Sequence, residues 1–310
     1  MNFVARQRWW GGLVLLLFPL FFIGGADYYD PRSVKEIWNL GHFLFFALFT
    51  LVLDDWLKAK GRSIFFRVVG TSCIVLGLGL GIELIQLSLA NRSCSLSDVV
   101  RDLSGCAIVL LWRAGYPPLS FRTLLCTTLL LIVSCINFFP LGAALADEYR
   151  GYRDFPMLAG FENDGEFSRW TSGRRGDFQR VSAPRVEGDF AAKITLTTDK
   201  YSGVSLDHFP RDWSGKSGLA FHVFNPGEQL ILHYRVHDEL HTTGEQRYSD
   251  RYNGRAVLEN GWNEIVIPLA DIINGPTARK MDITKISGFV LFVMQQPARR
   301  VLYLDNVRLL

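Results

Sequence analysis

The pattern of hydrophobic and polar positions changes near residue 146. Before it lie five mostly apolar segments: 9–26, 37–53, 68–90, 96–112 and 123–146. An apolar helix needs about 20 residues to cross a bilayer, and each segment is near that length. Segment 37–53 has only His42 as an ionisable group, and 68–90 has only Glu83. The pattern predicts a helical domain over 1–146 with about five transmembrane helices, of which 96–112 either spans or re-enters.

After residue 146 the apolar positions recur with a period of two, which indicates β-strands. The predicted strands are 191–197, 218–224, 230–237, 262–269, 286–293 and 301–309. Turn formers such as Asn225-Pro-Gly and Glu259-Asn-Gly separate them. Eight or more short strands are typical of an all-β sandwich, and we expect a jelly roll over 157–310. A polar linker, 147–156, precedes it.

Charge distribution supports a membrane orientation. Residues 1–145 carry 12 Lys and Arg against 8 Asp and Glu, so the net charge of +3 arises in this half. If all five segments span, most of these basic residues fall on one side, which is the cytoplasmic side by the positive-inside rule. The N-terminus is then cytoplasmic and the β-domain extracytoplasmic. If 96–112 only re-enters, the β-domain faces the cytoplasm; if 9–26 is a cleaved signal, the remaining orientation is unchanged.

Composition excludes some partners and cofactors. Basic residues sit in short clusters beside apolar segments rather than on one aromatic-rich face, so the pattern predicts no nucleic-acid binding. The five cysteines show no CxxC spacing, which favours small apolar side chains over a zinc or disulfide framework. The chain has no nucleophile signature and no phosphate-binding loop, and the sequence favours a binding role over catalysis.

Polar residues inside the apolar half share helix faces. Glu83 and Gln86 are three apart, as are Asp98 and Arg101, and Asp102 follows directly. Burying ionisable groups in lipid is expensive, which predicts one polar cluster, with glycines allowing close helix approach. Its expected members are His42, Glu83, Gln86, Arg92, Asp98, Arg101 and Asp102. The alternative is that these groups make helix-packing bonds and that Asp98 caps a helix.

Residues of this cluster resemble a known family. The strings Gly41-His42-Phe43, Glu83-Leu-Ile-Gln86, Ser97-Asp98 and Asp102-Leu-Ser-Gly105, with Arg92 between, are similar to the VanZ-like membrane family over about 35–115. Asp102 departs from the family, which more often has Asn there. The resemblance implies a membrane protein related to glycopeptide-antibiotic resistance, and it names no reaction.

The second half resembles another group. Its motifs are Gly160-Phe-Glu162, Asp212-Trp-Ser-Gly, Phe224-Asn-Pro-Gly, Arg251-Tyr-Asn, Gly261-Trp-Asn, Arg279-Lys-Met-Asp and Leu304-Asp305-Asn306. Over about 155–310 they are similar to the galactose-binding-like β-sandwiches of carbohydrate-binding modules. The resemblance implies a structural calcium ion held by Glu162 and Asp305, whose alternative role is that of solvent-facing or turn acids.

Alternation along 230–238 predicts a binding surface. His233, Arg235 and His237 fall on the face opposite Leu232, Tyr234 and Val236. Tyr248, Asp250 and Tyr252 on the next segment extend this polar row, and the alternative is an ordinary solvated face. Trp213 and Trp262 follow turn signals and are expected to be core anchors rather than sugar platforms.

The sequence therefore predicts a multipass envelope protein whose sandwich binds an envelope glycan or glycolipid, with membrane lipids as further partners. Two alternatives remain. One is an intramembrane enzyme or transporter for a lipid-linked substrate, and the other is a protein-interaction module on a membrane anchor.

Overall fold

The computed structural model describes residues 3–26, 30–88, 95–113, 120–173 and 176–310, with side chains from residue 9 onward. Two compact units divide the chain, Met1–Ala144 and Leu145–Leu310. The first is helical and the second is built from two antiparallel sheets, as the two patterns of hydrophobicity predict.

The first unit contains α-helices whose bounds follow the apolar segments. They are α1 (Phe3–Leu17), α2 (Arg32–Ala59), α3 (Ile64–Gln86), α4 (Leu96–Arg113) and α5 (Phe121–Asp154), the last of which continues into the second unit. By length and composition α2, α3 and α5 are able to cross a membrane.

Two predicted spans fall short of that criterion. The apolar stretch of α1 and the 3-10 turn after it covers Trp9–Phe21, about 20 Å at 1.5 Å per residue. Pro19 lies in that turn, where it cannot continue the α-helical hydrogen bonding. Helix α4 has four charged residues among its 18, namely Asp98, Arg101, Asp102 and Arg113, which is too many for an apolar span. The described residues thus show three helices of spanning character where the sequence predicts about five.

Helices α2 and α4 approach closely at a glycine. A Cβ on Gly105 would meet the backbone carbonyl of Phe43 and lie 2.9 Å from the Ala47 nitrogen. A larger residue would therefore separate the helices. Phe46, Val75, Ile82 and Cys106 form the buried centre of this packing.

An ion-pair group lies near the C-terminal end of α2. Buried Asp54 accepts two hydrogen bonds from the Arg67 guanidinium, Nε to Oδ1 at 2.8 Å and Nη2 to Oδ2 at 2.7 Å. Asp55 pairs with Arg113 at 2.5 Å. Because 12 residues separate Asp54 from His42, this group lies about 18 Å along the helix from the polar cluster.

The second unit has two sheets. The strands are β1 (Met157–Ala159), β2 (Trp170–Ser172), β3 (Asp177–Val181), β4 (Ala191–Leu196), β5 (Tyr201–Leu206), β6 (Gly218–Asn225), β7 (Leu230–Asp238), β8 (Tyr252–Leu258), β9 (Gly261–Pro268), β10 (Ile286–Met294) and β11 (Arg300–Leu309). Short helices α6 (Asp164–Phe167), α7 (Glu239–Thr243) and α8 (Leu269–Ile273) connect some of them. One sheet has the order β3-β4-β11-β6-β9, with β1 also paired to β11; the other has the order β2-β5-β10-β7-β8.

The inner faces of the two sheets form one hydrophobic core. The Phe221 ring on β6 lies 5.3 Å from the Phe289 ring on β10, which joins the sheets across the core. Trp213 is fully buried there, as expected from the sequence. The expectation for Trp262 is wrong: its side chain is 37% exposed on the outer face of β9 and packs beside Phe224.

The predicted linker is largely helical. Helix α5 continues to Asp154, and its end is tied to the sandwich by a buried ion pair. The Arg169 guanidinium contacts the Asp147 carboxylate at 2.9 Å and also donates to the Leu158 carbonyl. Asp147 therefore docks the end of the helix on the sandwich, and the segment is not a loose connection.

Candidate functional site

A groove of about 970 Å³ runs over the outer face of the five-stranded sheet. Strand register sets its side chains in rows. Ser205, Val290, Arg235 and Asn253 are cross-strand neighbours in one row, and Gly203, Phe292, His233 and Arg255 are neighbours in the next.

Rings form much of the groove floor. The Phe292 ring lies 5.4 Å from the His233 imidazole at an interplanar angle of 22°, and 5.8 Å from the Tyr201 ring. Tyr201 is 57% exposed, and the Lys200 ammonium lies over its ring, 5.5 Å from the ring centre. Gly203 is paired with Phe292 and has no side chain to cover it. The floor is thus flat, partly aromatic and accessible.

Tyr248 and Arg251 form a wall of the groove. The Arg251 guanidinium lies over the Tyr248 ring, 5.4 Å from its centre, and Arg251 Nε donates to Asn253 Oδ1 at 3.0 Å. The Asn253 amide also donates to the Tyr248 carbonyl at 2.9 Å. Burial lowers the pKa of Arg251. These contacts hold a polar wall in a fixed position beside the rings.

The charge of the groove is positive. Arg235, Arg251 and Arg255 line it, and the lining side chains in the described part of the chain include no carboxylate. Arginines give planar, directional donors for hydroxyl or carboxylate oxygens, while aromatic faces pack on apolar ligand surfaces.

An ion-pair clamp fixes the segment that carries this wall. The Arg279 guanidinium donates to Asp238 at 2.5 and 2.8 Å and to Asp250 at 2.6 Å. Asp238 is fully buried at the end of β7, and Asp250 precedes β8. The hydrogen-bonded ion pair with Arg279 holds the pKa of Asp250 below its ordinary value. The clamp therefore ties both ends of the 239–251 connection to one guanidinium.

Three of the six predicted ligand-binding residues line the groove: His233, Arg235 and Tyr248. The other three lie elsewhere. Asp250 belongs to the Arg279 clamp. Tyr252 turns toward the core and stacks on Tyr234 at 6.3 Å, where burial raises its pKa to about 12.

His237 lies on the predicted face but is covered. Its ring fills the space above Gly288 and lies 5.2 Å from His241, which helix α7 brings over the strand. Only 8% of His237 is exposed. Burial, with a smaller effect of the Arg235 charge, lowers its pKa to about 3.

Other lining residues were not predicted. Tyr201, Phe292 and Met294 belong to β5 and β10, and Arg251 and Arg255 flank or lie on β8. Every residue of β10 from Phe289 to Met294 is apolar, so only the structure shows that Phe292 lies in the groove beside His233.

The two carboxylates predicted to hold calcium both fasten one loop. Glu162 accepts the backbone N–H groups of Asp189 and Phe190, at 3.0 and 3.2 Å. Asp305, fully buried, accepts the N–H of Val186 at 2.6 Å. Burial raises the pKa of Asp305, and these hydrogen bonds oppose the rise. Calcium prefers oxygen ligands, whereas N–H donors face both carboxylates here, so calcium at this position stays a prediction.

The first unit brings part of its predicted polar cluster together. His42 Nδ1 lies 2.9 Å from Asp102 Oδ1, with both side chains buried. His42, Glu83 and Asp98 each have a ligand-type atom within 4.8 Å of the others. The structure therefore joins helices α2, α3 and α4 at one polar site.

The remaining cluster members have different contacts. Gln86 donates to the Phe21 carbonyl at 2.8 Å, and Arg101 donates to Asp98 Oδ1 at 2.5 Å and lies 3.8 Å from Glu36. Arg92 lies outside the described residues.

Comparison with known proteins identifies one relative. The chain is 30% identical over 116 residues to uncharacterized protein C11E3.10 of the fission yeast Schizosaccharomyces pombe, a match that covers 37% of this chain and 68% of the yeast protein. The chain belongs to the family of that protein. No family model matches the chain, so the VanZ-like resemblance also stays a prediction.

Solved structures resemble the chain only weakly. A family 11 carbohydrate-binding module from Clostridium thermocellum, in complex with a mixed-linked tetrasaccharide, has 18% identity and a TM-score of 0.39, over 50% of this chain and 94% of the module. An exo-beta-agarase has 16% identity and a TM-score of 0.40, over 50% of this chain and 24% of the enzyme. Similarity at this level carries no argument about the ligand of this chain.

Proposed function

We propose that the sandwich binds carbohydrate in the groove of its five-stranded sheet. The observation that carries this proposal is the combination of the ring floor, Tyr201 and Phe292, with directional donors from Arg235 and Arg255 beside it. Pyranose rings offer apolar faces for such rings and hydroxyl groups for such donors. A cleft lined by rings with a few placed polar groups is the general form of small-ligand sites.

The ligand class is an acidic saccharide. Three arginines line the groove without a lining carboxylate in the described chain, so a uronate or another anionic sugar gains charge-assisted hydrogen bonds that a neutral sugar lacks. An envelope glycan or the head group of a glycolipid supplies this chemistry.

The helical unit is the membrane anchor in this proposal. Helices α2, α3 and α5 have the length and composition of membrane spans. If all five predicted segments span, the charge asymmetry of the sequence favours an extracytoplasmic sandwich. The resemblance of 35–115 to VanZ-like proteins agrees with a role in the cell envelope. A glycan-binding sandwich held at the membrane would then meet its ligand at the cell surface.

A glycan array tests the binding proposal. The full chain is placed in nanodiscs made without glycosidic detergents, because maltosides would compete for a sugar site. Retention of acidic oligosaccharides supports the proposal, and the absence of any glycan signal overturns it. A parallel array with EGTA tests the calcium prediction separately, since only a calcium-dependent fold would lose its signal.

Protease accessibility tests the orientation. Cleavage of the sandwich in intact spheroplasts is expected for an extracytoplasmic domain. Cleavage only after lysis would place the domain in the cytoplasm and contradict the envelope role.

A further inference from the structure

The polar site of the helical unit holds an imidazole against a buried carboxylate. Asp102 accepts a hydrogen bond at His42 Nδ1, 2.9 Å away, and a neutral imidazole bound in this way has its lone pair on Nε2. An imidazole oriented by a carboxylate is the usual arrangement of a metal-binding histidine.

Close helix packing fixes this carboxylate. A Cβ on Gly79 of α3 would lie 3.4 Å from the Asp102 carboxyl carbon and closer still to Oδ2. Asp102 is fully buried, and the Phe21 ring meets the His42 ring edge-on at 4.7 Å on another side. The imidazole therefore has little freedom to turn away.

The buried carboxylate of Glu83 is a second, independent observation that favours a bound cation. Its side chain is 2% exposed, and Oε1 has no hydrogen-bond partner among the described residues, while Oε2 accepts the Ser95 N–H at 2.6 Å. A buried carboxylate oxygen without a partner carries a desolvation cost that a bound cation would offset.

The charge of the polar site also favours a bound cation. Glu83, Asp98 and Asp102 contribute three carboxylates, and Arg101, paired with Asp98 at 2.5 Å, is the guanidinium that the described residues place against them. Three carboxylates against one guanidinium leave an excess of negative charge in a largely buried place, which a divalent cation would balance.

We infer that His42, Glu83 and Asp98 bind one divalent transition-metal ion, with Asp102 orienting the imidazole. One nitrogen and two carboxylate oxygens suit Zn²⁺, whereas Ca²⁺ and Mg²⁺ favour oxygen ligands alone. Ligand atoms around tetrahedral zinc lie about 3.3 Å apart, so the present separations of up to 4.8 Å close with shifts of about 1 Å per side chain. Three protein ligands leave the fourth position for water or for an oxygen of a bound molecule.

Zinc binding to the full chain in nanodiscs tests this inference. The affinity tag is removed, the protein is stripped with a chelator, and Zn²⁺ is added during calorimetry and counted by mass spectrometry. One zinc ion per chain is expected. Co²⁺ at the same site should give the visible absorption of a four-coordinate nitrogen and oxygen site.

The zinc affinities of substituted chains identify the residues that bind the ion. His42→Ala and Glu83→Gln should weaken zinc binding by about 100-fold or more, and Asp102→Asn by about 10- to 100-fold because it orients a ligand. His222→Ala, a partly exposed histidine of β6, and Gly77→Ala, which has open space beside it, should bind as the parent does.

Thermal unfolding of the metal-free forms checks that each variant folds. Glu83→Gln preserves the shape of the side chain, so it decides the question if His42→Ala does not fold. A folded parent chain that binds no zinc, or zinc binding that Glu83→Gln leaves unchanged, would overturn the inference.

Discussion

The Phe292 ring and the His233 imidazole lie nearly parallel, 5.4 Å apart, on neighbouring strands β10 and β7. Their stacking extends an aromatic surface across the sheet toward Tyr201. It also puts apolar surface beside the arginines of the groove, which is the feature that distinguishes this face from a solvated sheet.

Tyr201 should contribute directly to glycan binding. Its exposed ring is the outermost part of the floor, so Tyr201→Ala is expected to weaken binding by about 2 kcal/mol, roughly 30-fold. Calorimetric titration with an oligosaccharide that binds on the glycan array measures this change in affinity. Trp262→Ala removes an exposed aromatic residue from the other sheet and should leave the affinity unchanged; equal losses in both variants would argue against the groove.

Arg255 should set the preference for acidic sugars. Arg255→Gln removes a charge from the groove, and we expect acidic ligands to lose about 1.5–3 kcal/mol while neutral ones lose little. The salt dependence of binding should also decrease. Arg308→Gln, on the other sheet, is the control. The acidic preference is wrong if Arg255→Gln affects neutral and acidic sugars alike.

The sandwich should lose stability in mild acid through His237. Its folded pKa is about 3 because of burial, whereas the unfolded value is near 6.5. Between these values the unfolded chain binds a proton that the folded chain does not, so this contribution is complete above pH 6.5 and declines as the pH falls. At pH 5 the loss is about 2 kcal/mol.

Pulse proteolysis in urea at pH 7 and pH 5 measures this change. His237→Gln should reduce the difference between the two pH values, although its stability at pH 7 also changes. A pH dependence equal to that of the parent chain would exclude His237 as its source.

Gly105 should be essential for the packing of α2 against α4. A methyl group there meets the backbone of Phe43 and Ala47, which cannot rotate away, so Gly105→Ala is expected to destabilise the helical unit by about 1–3 kcal/mol. Gly41→Ala, with open space on α2, should be neutral or slightly stabilising. Thermal unfolding in nanodiscs compares the two, and similar melting temperatures would contradict the close contact.

The Asp147 and Arg169 pair should stabilise the second unit. Asp147→Leu leaves a buried guanidinium, with an expected cost of about 3–5 kcal/mol. Adding Arg169→Met to the same chain should restore much of that stability, because no unpaired charge remains. Urea unfolding of the two variants checks this, and a double variant as unstable as the single one would show that the cost is lost packing.

The sequence predicted the elements with strong, long patterns. The six predicted strands correspond to β4, β6, β7, β9, β10 and β11, each of which has six or more residues and is rich in apolar side chains. Strand β5, Tyr201–Leu206, was missed because a polar residue, Ser202, occupies one of its inward positions, and β2 has only three residues. The polar spacing in α3 and α4 likewise predicted that Glu83 and Asp98 meet near His42.

The other features of the site depend on tertiary contacts, which the alternation of apolar and polar residues does not reveal. The alternation along β7 places His237 on the outward face of the sheet, yet helix α7 folds back over it. The sequence pattern places Asp250 among the ligand-binding residues, yet its carboxylate forms an ion pair with Arg279, which lies 29 residues later. Which residues share the groove depends on strand pairing over long sequence separations, and the sequence pattern fixes only which face each side chain takes.

The most direct test of the account compares two double variants by calorimetry with the best acidic oligosaccharide from the array. Tyr201→Ala with Arg255→Gln alters the groove, and Trp262→Ala with Arg308→Gln makes the same kinds of change on the other sheet. We expect the groove variant to bind at least about 100-fold more weakly and the control to bind as the parent chain does. Binding that survives the groove substitutions, or that is lost equally in the control, would contradict the assignment of the glycan site to this groove.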